Sequence, residues 1–190
     1  MRLLTTIIAA TFFLSSCGKE PAKQAPQAST TSAPVDYRNN VALVTKVSAS
    51  SEGIAPNFTW HDSTGALKSL SDFRGKAVLI NFWATWCGPC KAELPDVEDL
   101  SKQYGTKGLV VIGVSVDKGG NLLGDVSDFV SQKGLTYQIV IDNDDNTVDA
   151  YGNINAIPTS FLIDKNGKIV EKWLGARDKT FFQSTIAKYL

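Results

Sequence analysis

Two patterns of different period meet in the sequence NFWATWCGPCKAELP, residues 81–95. The apolar run that begins at Ala77 and ends at Trp83 predicts a buried parallel strand. Beyond the cysteines, apolar residues recur at every third position, at Leu94, Val97 and Leu100. This spacing predicts an amphipathic helix. Cys87 is therefore expected at the C-terminal edge of a sheet and at the start of a helix, where open α/β sheets place their chemistry.

The two cysteines of this stretch have the spacing of a reversible disulfide. Cys87 precedes the predicted helix, whose free N–H groups and positive dipole end stabilise a thiolate. Cys90 falls in the first turn and should be more shielded, and Pro89 costs that turn little because it lacks only an N–H group that would be unpaired there. A Cys-x-x-Cys pair forms a small disulfide and reopens it by attack on another disulfide.

Metal binding is the main alternative for such a pair. A structural zinc site needs a second pair of ligands, and the chain offers only Cys17 and His61 besides this pair. Residues 142–146 resemble a calcium loop, but Thr147 and Asn153 stand where glycine and glutamate are needed. We therefore interpret residues 142–146 as a solvated acidic loop, and expect no metal and no cofactor beyond the Cys87–Cys90 disulfide.

The sequence from Trp86 to Lys91 resembles the thioredoxin active site. The longer stretch 81–95 is similar to membrane-anchored thiol–disulfide oxidoreductases of the TlpA/ResA type, and this similarity extends over roughly residues 54–190. It is most specific at the cysteines and at Ile157-Pro158-Thr159. The resemblance implies that Pro158 is cis, lies against the cysteine pair, and exposes neighbouring backbone to a substrate strand. It also implies that the substrate contacts Trp86, Gly88, Pro89, Ile157 and Pro158.

Glu93 is a candidate third catalytic residue. It follows Cys90 by one helical turn, so both side chains share a helix face. Spacing alone favours an ordinary solvated helix glutamate. The resemblance favours a catalytic role, because the family carries a glutamate at this position. Thioredoxin proper has a buried aspartate where this chain has Asn81, which cannot take up a proton, so Glu93 is the better candidate for a carboxylate that serves the cysteines. A partly buried carboxylate at Glu93 would raise the thiol pKa and relay a proton.

The remaining pattern predicts one α/β domain over residues 52–190. Predicted strands alternate with helices and end in a hairpin and a helix. The expected fold is a thioredoxin-like mixed sheet flanked by helices. It carries an N-terminal β-hairpin and a central strand–helix insert around residues 117–141.

The first fifty residues have a different composition. Residues 1–16 predict a lipoprotein signal peptide, because a short apolar segment ends in Leu14-Ser15-Ser16-Cys17, which resembles a lipobox. Cys17 would then carry the lipid, and the alternative is an ordinary signal peptide cleaved elsewhere. Residues 17–51 are interpreted as a flexible tether, with a possible edge strand at residues 41–47.

Together these features predict an extracytoplasmic, lipid-anchored thiol–disulfide oxidoreductase that mainly reduces disulfides in exported proteins, with apocytochrome c as a substrate that the resemblance suggests. A membrane thiol donor must re-reduce Cys87 and Cys90. The net charge of the chain is zero, so its charge gives no reason to expect that it binds nucleic acid. We expect a monomer. The alternatives are a Cu(I)-carrying module of the same fold, for which His61 is poorly placed, and a thiol peroxidase, for which a Thr-x-x-Cys context and a distant resolving cysteine are missing.

Overall fold

The computed structural model describes residues 40–190. The predictions for residues 1–39, which include the signal peptide and Cys17, lie outside this part. The strands are β1 Val41–Leu43, β2 Lys46–Ser48, β3 Asn57–His61, β4 Leu67–Ser69, β5 Ala77–Trp83, β6 Leu109–Ser115, β7 Gln138–Ile141, β8 Thr159–Ile163 and β9 Ile169–Leu174. The α-helices are α1 Gly88–Tyr104, α2 Leu122–Lys133, α3 Asn146–Ala150 and α4 Lys179–Ile186.

The larger sheet is mixed, with strand order β1-β7-β6-β5-β8-β9. The first four of these strands run parallel, and β8 and β9 are antiparallel to their neighbours. All seven residues of β5 are buried, as its sequence, apolar except for Asn81, predicts for an inner strand. The mixed sheet, the strand–helix insert formed by α2 and β7, and the final hairpin with its helix agree with the fold expected from the sequence.

Two strands fall within the stretch that the sequence interpretation assigned to the tether. β1 extends the edge of the larger sheet by pairing in parallel with β7, and β2 pairs with β3 in a separate sheet of order β2-β3-β4. The tether boundary at residue 51 was therefore too late, and at least residues 41–48 are part of the fold. The apolar run Val41-Ala42-Leu43 forms a strand because the edge of β7 is free to pair with it, although its neighbours in sequence are polar.

The core occupies both faces of the larger sheet because β5 alternates between them. Ala77, Leu79 and Trp83 pack on the side of α1, α2 and α4, whereas Val78, Ile80 and Phe82 pack toward α3 and the smaller sheet. Gly113 in β6 lies opposite Asn81, and a Cβ there would come within 2.9 Å of the Trp83 indole nitrogen. A side chain at this position would collide with Trp83, so glycine leaves room for the indole ring.

The acidic stretch 142–146 differs from its sequence interpretation at its first residue. Asp142 is only 1% exposed, and its carboxylate accepts hydrogen bonds from the backbone N–H groups of Thr147 and Val148, both at 2.9 Å. The interpretation as a wholly solvated loop was wrong for this residue, because the carboxylate satisfies the first amides of α3.

Candidate active site

The cysteine pair lies at the start of α1, just after the end of β5, at the C-terminal edge of the parallel strands. Cys87 is the N-cap of α1, and the backbone N–H of Cys90 donates to its Sγ at 3.1 Å. The two residues form a disulfide with a Cα–Cα distance of 5.3 Å. The N–H contact and the helix dipole both favour negative charge on the Cys87 sulfur, so this arrangement stabilises a Cys87 thiolate once the disulfide is opened.

The two cysteine residues differ slightly in their exposed fraction. Cys87 is 5% exposed and Cys90 is 1% exposed. Both are largely covered, and Cys87 is the more exposed of the two. This difference favours Cys87 as the residue that attacks the substrate and Cys90 as the residue that resolves the mixed disulfide.

The predicted contact residues surround Cys87. Trp86 is 67% exposed, Gly88 and Pro89 are exposed, Ile157 is half-buried and Pro158 is buried. The Ile157–Pro158 peptide bond is cis, as the resemblance implied, and the carbonyl oxygen of Ile157 lies 3.8 Å from Cys87 Sγ. A disulfide sulfur has no proton to donate, so this is a contact between the cis-proline loop and the reacting atom.

A shallow hollow of about 160 Å³ opens beside Trp86. It is lined by Trp86, Val116, Ile154, Asn155, Ala156 and Ile157. Sequence reasoning missed four of these residues. Residues 154–156 could have been found by following the chain back from Pro158, since the loop that delivers a proline to the site must itself run along it.

Glu93 is buried beneath the pair, at 3% exposure. Its Oε1 accepts a hydrogen bond from Asn81 Nδ2 at 2.7 Å, and its Oε2 accepts one from the backbone N–H of Arg177 at 2.6 Å. Asn81 Nδ2 also donates to Ser160 Oγ at 2.9 Å. Glu93 is not the solvated helix residue that spacing alone favoured, because β5 and the segment after β9 cover it.

Burial raises the pKa of the Glu93 carboxyl group. The hydrogen bonds from Arg177 and Asn81 and the charge of Arg177 act in the opposite direction, and they offset only part of this effect. Glu93 therefore takes up a proton more readily than an exposed glutamate. Its Cβ lies about 5–6 Å from that of Cys90, as for any pair one helical turn apart.

Asp117 braces the loop that carries Cys87, and sequence reasoning missed it. Its carboxylate accepts hydrogen bonds from the Thr85 backbone N–H at 3.0 Å, the Thr85 hydroxyl at 2.6 Å and the Ser115 hydroxyl at 2.7 Å. Thr85 is two residues before Cys87, so Asp117 fixes the turn between β5 and α1. The sequence signal that could have identified Asp117 is a carboxylate two positions after the end of β6, which is the parallel neighbour of β5.

Across residues 40–190, no group of three or more histidine, cysteine, aspartate or glutamate side chains is arranged to hold a metal ion. His61 lies at the end of β3, in the smaller sheet.

Comparison with known proteins gives a consistent result. Residues 49–190 match the Redoxin family. The thiol–disulfide oxidoreductase ResA of Bacillus thuringiensis is 39% identical over 134 residues, which cover 70% of this chain and 75% of that protein. The structure of a thiol:disulfide interchange protein of the thioredoxin family from Chlorobium tepidum is 28% identical with a TM-score of 0.64, and covers 75% of this chain and 99% of its own. The exposed lipoprotein thioredoxin of Streptococcus pneumoniae is 31% identical with a TM-score of 0.57, and covers 70% and 98%.

Proposed function

We propose, from the premise that the chain belongs to the Redoxin family and is a thiol–disulfide oxidoreductase of the ResA type, that it reduces disulfide bonds in exported proteins. One observation carries the proposal. Cys87 caps α1, accepts the N–H of Cys90, and its Sγ lies 3.8 Å from the carbonyl oxygen of Ile157, which lines the hollow beside Trp86. A sulfur in this position is a stabilised thiolate that faces a surface on which another polypeptide can lie.

The reaction passes through one mixed disulfide. The Cys87 thiolate attacks one sulfur of the substrate disulfide, that bond breaks, and the other substrate sulfur leaves as a thiolate that takes a proton. The Cys90 thiolate then attacks Cys87 Sγ and expels the second substrate sulfur, which also takes a proton. The substrate gains two electrons and two protons, and the enzyme is left with the Cys87–Cys90 disulfide. A dithiol donor in the membrane must then reduce this disulfide by the same exchange.

Glu93 is proposed to handle the proton of Cys90. Resolution needs Cys90 as a thiolate, and Cys90 at 1% exposure has little access to water. A buried carboxyl group with a raised pKa on the next helical turn is suited to accept that proton. Trp86, Gly88, Pro89, Ile157 and Pro158 are proposed to contact the substrate around Cys87.

The protein is proposed to act outside the cytoplasm, held to a membrane by a lipid on Cys17. The lipobox-like sequence 14–17 supports this, as does the similarity to a pneumococcal protein described as an exposed lipoprotein. A lipid on Cys17 and a pair at 87 and 90 account for all three cysteines of the chain. Over residues 40–190, no helix has both the length and the apolar character for a membrane crossing. Oxidised exported proteins, with apocytochrome c as one candidate, are the proposed substrates of a monomeric enzyme.

The roles of the two cysteines can be tested by trapping. The reduced full chain is mixed with a disulfide-bonded substrate protein, quenched with acid and analysed by mass under non-reducing conditions. Cys90→Ser should accumulate the mixed disulfide through Cys87, and Cys87→Ser should neither trap substrate nor reduce it. Normal turnover by Cys90→Ser, or trapping by Cys87→Ser, would overturn the assignment.

A further inference from the structure

We propose, resting on the reductase function above, that the substrate surface extends from Cys87 to the edge strand β9, where Lys172 and Leu174 select substrates. The occupant is an extended segment of the substrate chain. It places an acidic side chain at Lys172 and an apolar side chain at Leu174, several residues from the cysteine under attack.

The first observation is a second hollow that continues the one beside Trp86. It has a volume of about 260 Å³ and is lined by Gly152, Asn153, Ile154, Asn155, Thr159, Lys172 and Leu174. Ile154 and Asn155 line both hollows. The two hollows therefore adjoin at these residues, and we treat them as one groove that starts at Trp86 and ends on β9.

The strand register places two β9 side chains along this groove. Leu174 pairs with Thr159, the residue after Pro158, and Lys172 pairs with Phe161. Lys172 and Leu174 are two residues apart, so they lie on the same face of β9, about 7 Å from one another along the strand. Trp173 between them points into the core on the opposite face.

The chemistry of these two side chains defines the substrate. Leu174 is 57% exposed, so it offers apolar surface to a bound chain. Lys172 is the one charged side chain that lines either hollow, and it forms no ion pair with a carboxylate of residues 40–190. Its ammonium group lies 5.2 Å from the centre of the Phe161 ring. A carboxylate on the substrate would complement this lone cation, and an apolar neighbour would cover Leu174.

The loop between the hollows suits an extended peptide. The backbone N–H groups of Asn155 and Ala156 have no hydrogen-bond acceptor within residues 40–190, and the Ile157 carbonyl lies at Cys87 Sγ. Such unpaired groups can pair with an extended chain. The path from Cys87 Sγ to Lys172 is on the order of 15–20 Å, which an extended chain covers in about five or six residues.

A peptide scan tests the proposal. Each peptide carries one cysteine in a mixed disulfide with a chromogenic thiol, and Glu, Gln or Lys is placed in turn at roughly two to eight residues on either side of it. The second-order rate constant of reduction is measured by stopped flow with the reduced full chain. At low salt, Glu should raise this constant about three- to tenfold over Gln within one window of positions, and about 0.5 M salt should remove most of the difference.

Variants at Lys172 and Leu174 separate the groove from general charge effects. Lys172→Gln should remove the Glu preference, and Lys172→Glu should invert it in favour of Lys. Leu174→Ser should weaken a preference for an apolar residue next to that window. Lys76→Glu is the matched control, because it makes the same charge change on an exposed lysine at the opposite end of β5, and it should behave as wild type.

Two failures are distinguishable. An equal ratio of the Glu and Gln rate constants in wild type and Lys172→Glu, at every position, would overturn the groove proposal and leave the reductase function intact. Failure of the reduced wild-type chain to reduce any of the mixed disulfides would overturn the reductase function itself.

Discussion

Helix α1 buries two glutamates five positions apart, and the two side chains are held in opposite ways. Glu93, near the cysteines, is 3% exposed, and Glu98, farther along the helix, is 6% exposed. Glu93 accepts hydrogen bonds from two neutral donors, the Asn81 amide and the Arg177 backbone. Glu98 accepts two from Thr136, at 2.7 and 2.6 Å, and its Oε1 lies 2.9 Å from the Lys102 ammonium group.

The pKa values of the two groups are displaced in opposite directions. Burial raises the pKa of Glu93, since its hydrogen bonds do not compensate for lost hydration. Burial also acts to raise the pKa of Glu98, but the hydrogen bonds from Thr136 and Lys102 and the Lys102 charge together outweigh it, and the pKa is lowered. Burial alone therefore does not mark a proton-handling residue. The number and charge of the donors decide whether a buried carboxyl group exchanges protons or stays ionised as part of the framework.

The largest expected effect comes from Glu93→Gln, which removes the proton acceptor at the active-site end. Resolution of the mixed disulfide should slow by up to about a hundredfold, the scale of a lost general base. The thiol pKa should fall, because a nearby carboxylate disfavours a thiolate. Thiolate absorbance against pH and the decay rate of the mixed disulfide measure the two effects. If the thiolate titration curves of wild type and Glu93→Gln superimpose, Glu93 does not act on the cysteines, and its role is structural, like that of Glu98.

The next effect is on stability, and it concerns the second buried glutamate of the helix. Glu98→Ala removes the acceptor of the Thr136 bonds and should lower the free energy of unfolding by about 1.5–3 kcal/mol, as expected for hydrogen bonds to a charged group. Chemical denaturation measures this loss. Reductase activity of the folded variant should stay within about twofold of wild type, since Glu98 touches nothing at the cysteines. A large loss of activity at full folding would contradict the division of roles.

The pH dependence of stability should separate the two residues by sign. The Glu93 contribution, with its raised pKa, is complete below the ordinary value of 4.5 and is lost as pH rises through the folded-state pKa. The Glu98 contribution, with its lowered pKa, is complete above 4.5 and is lost as pH falls. Denaturation midpoints of wild type minus Glu93→Gln, and of wild type minus Glu98→Gln, should therefore slope in opposite directions with pH. Two slopes of the same sign would refute the pKa assignments.

The smallest effect is expected from Lys102→Ala. The pair with Glu98 joins residues four apart on a helix, and the Lys102 side chain is 60% exposed. Such pairs contribute about 0.3–0.5 kcal/mol. The change should shrink with added salt, and a loss above about 1 kcal/mol would mean that Lys102, not Thr136, is the main partner of Glu98.

The sequence predicts the active-site framework well where the signals are local. Seven consecutive buried residues of β5, a proline in the first turn of α1 and the Cys-x-x-Cys spacing all lie within residues 77–95. The strand–helix transition and the placement of Cys87 as the cap follow from this stretch alone.

The features that could not be predicted depend on distant parts of the chain. Glu93 is covered by the backbone of Arg177, which is 84 positions away, and Asp117 reaches Thr85 across 32 positions. The pattern of residues 41–47 indicated a possible edge strand, but it could not show that β1 would be only three residues long or that β7 would be its partner. The second hollow depends on the register of β8 and β9, which sequence patterns do not supply at single-residue accuracy.

The exposure of Trp86 gives the molecule an optical signal of its own chemistry. Three of the four tryptophans, Trp60, Trp83 and Trp173, are at most 9% exposed, whereas Trp86 is 67% exposed and is adjacent to Cys87. A disulfide quenches a neighbouring indole, and a solvated indole emits at longer wavelength than buried ones. Opening of the Cys87–Cys90 bond should therefore brighten the red side of the emission band, and Trp86→Phe should abolish that change. Each turnover can then be followed by fluorescence without any attached dye.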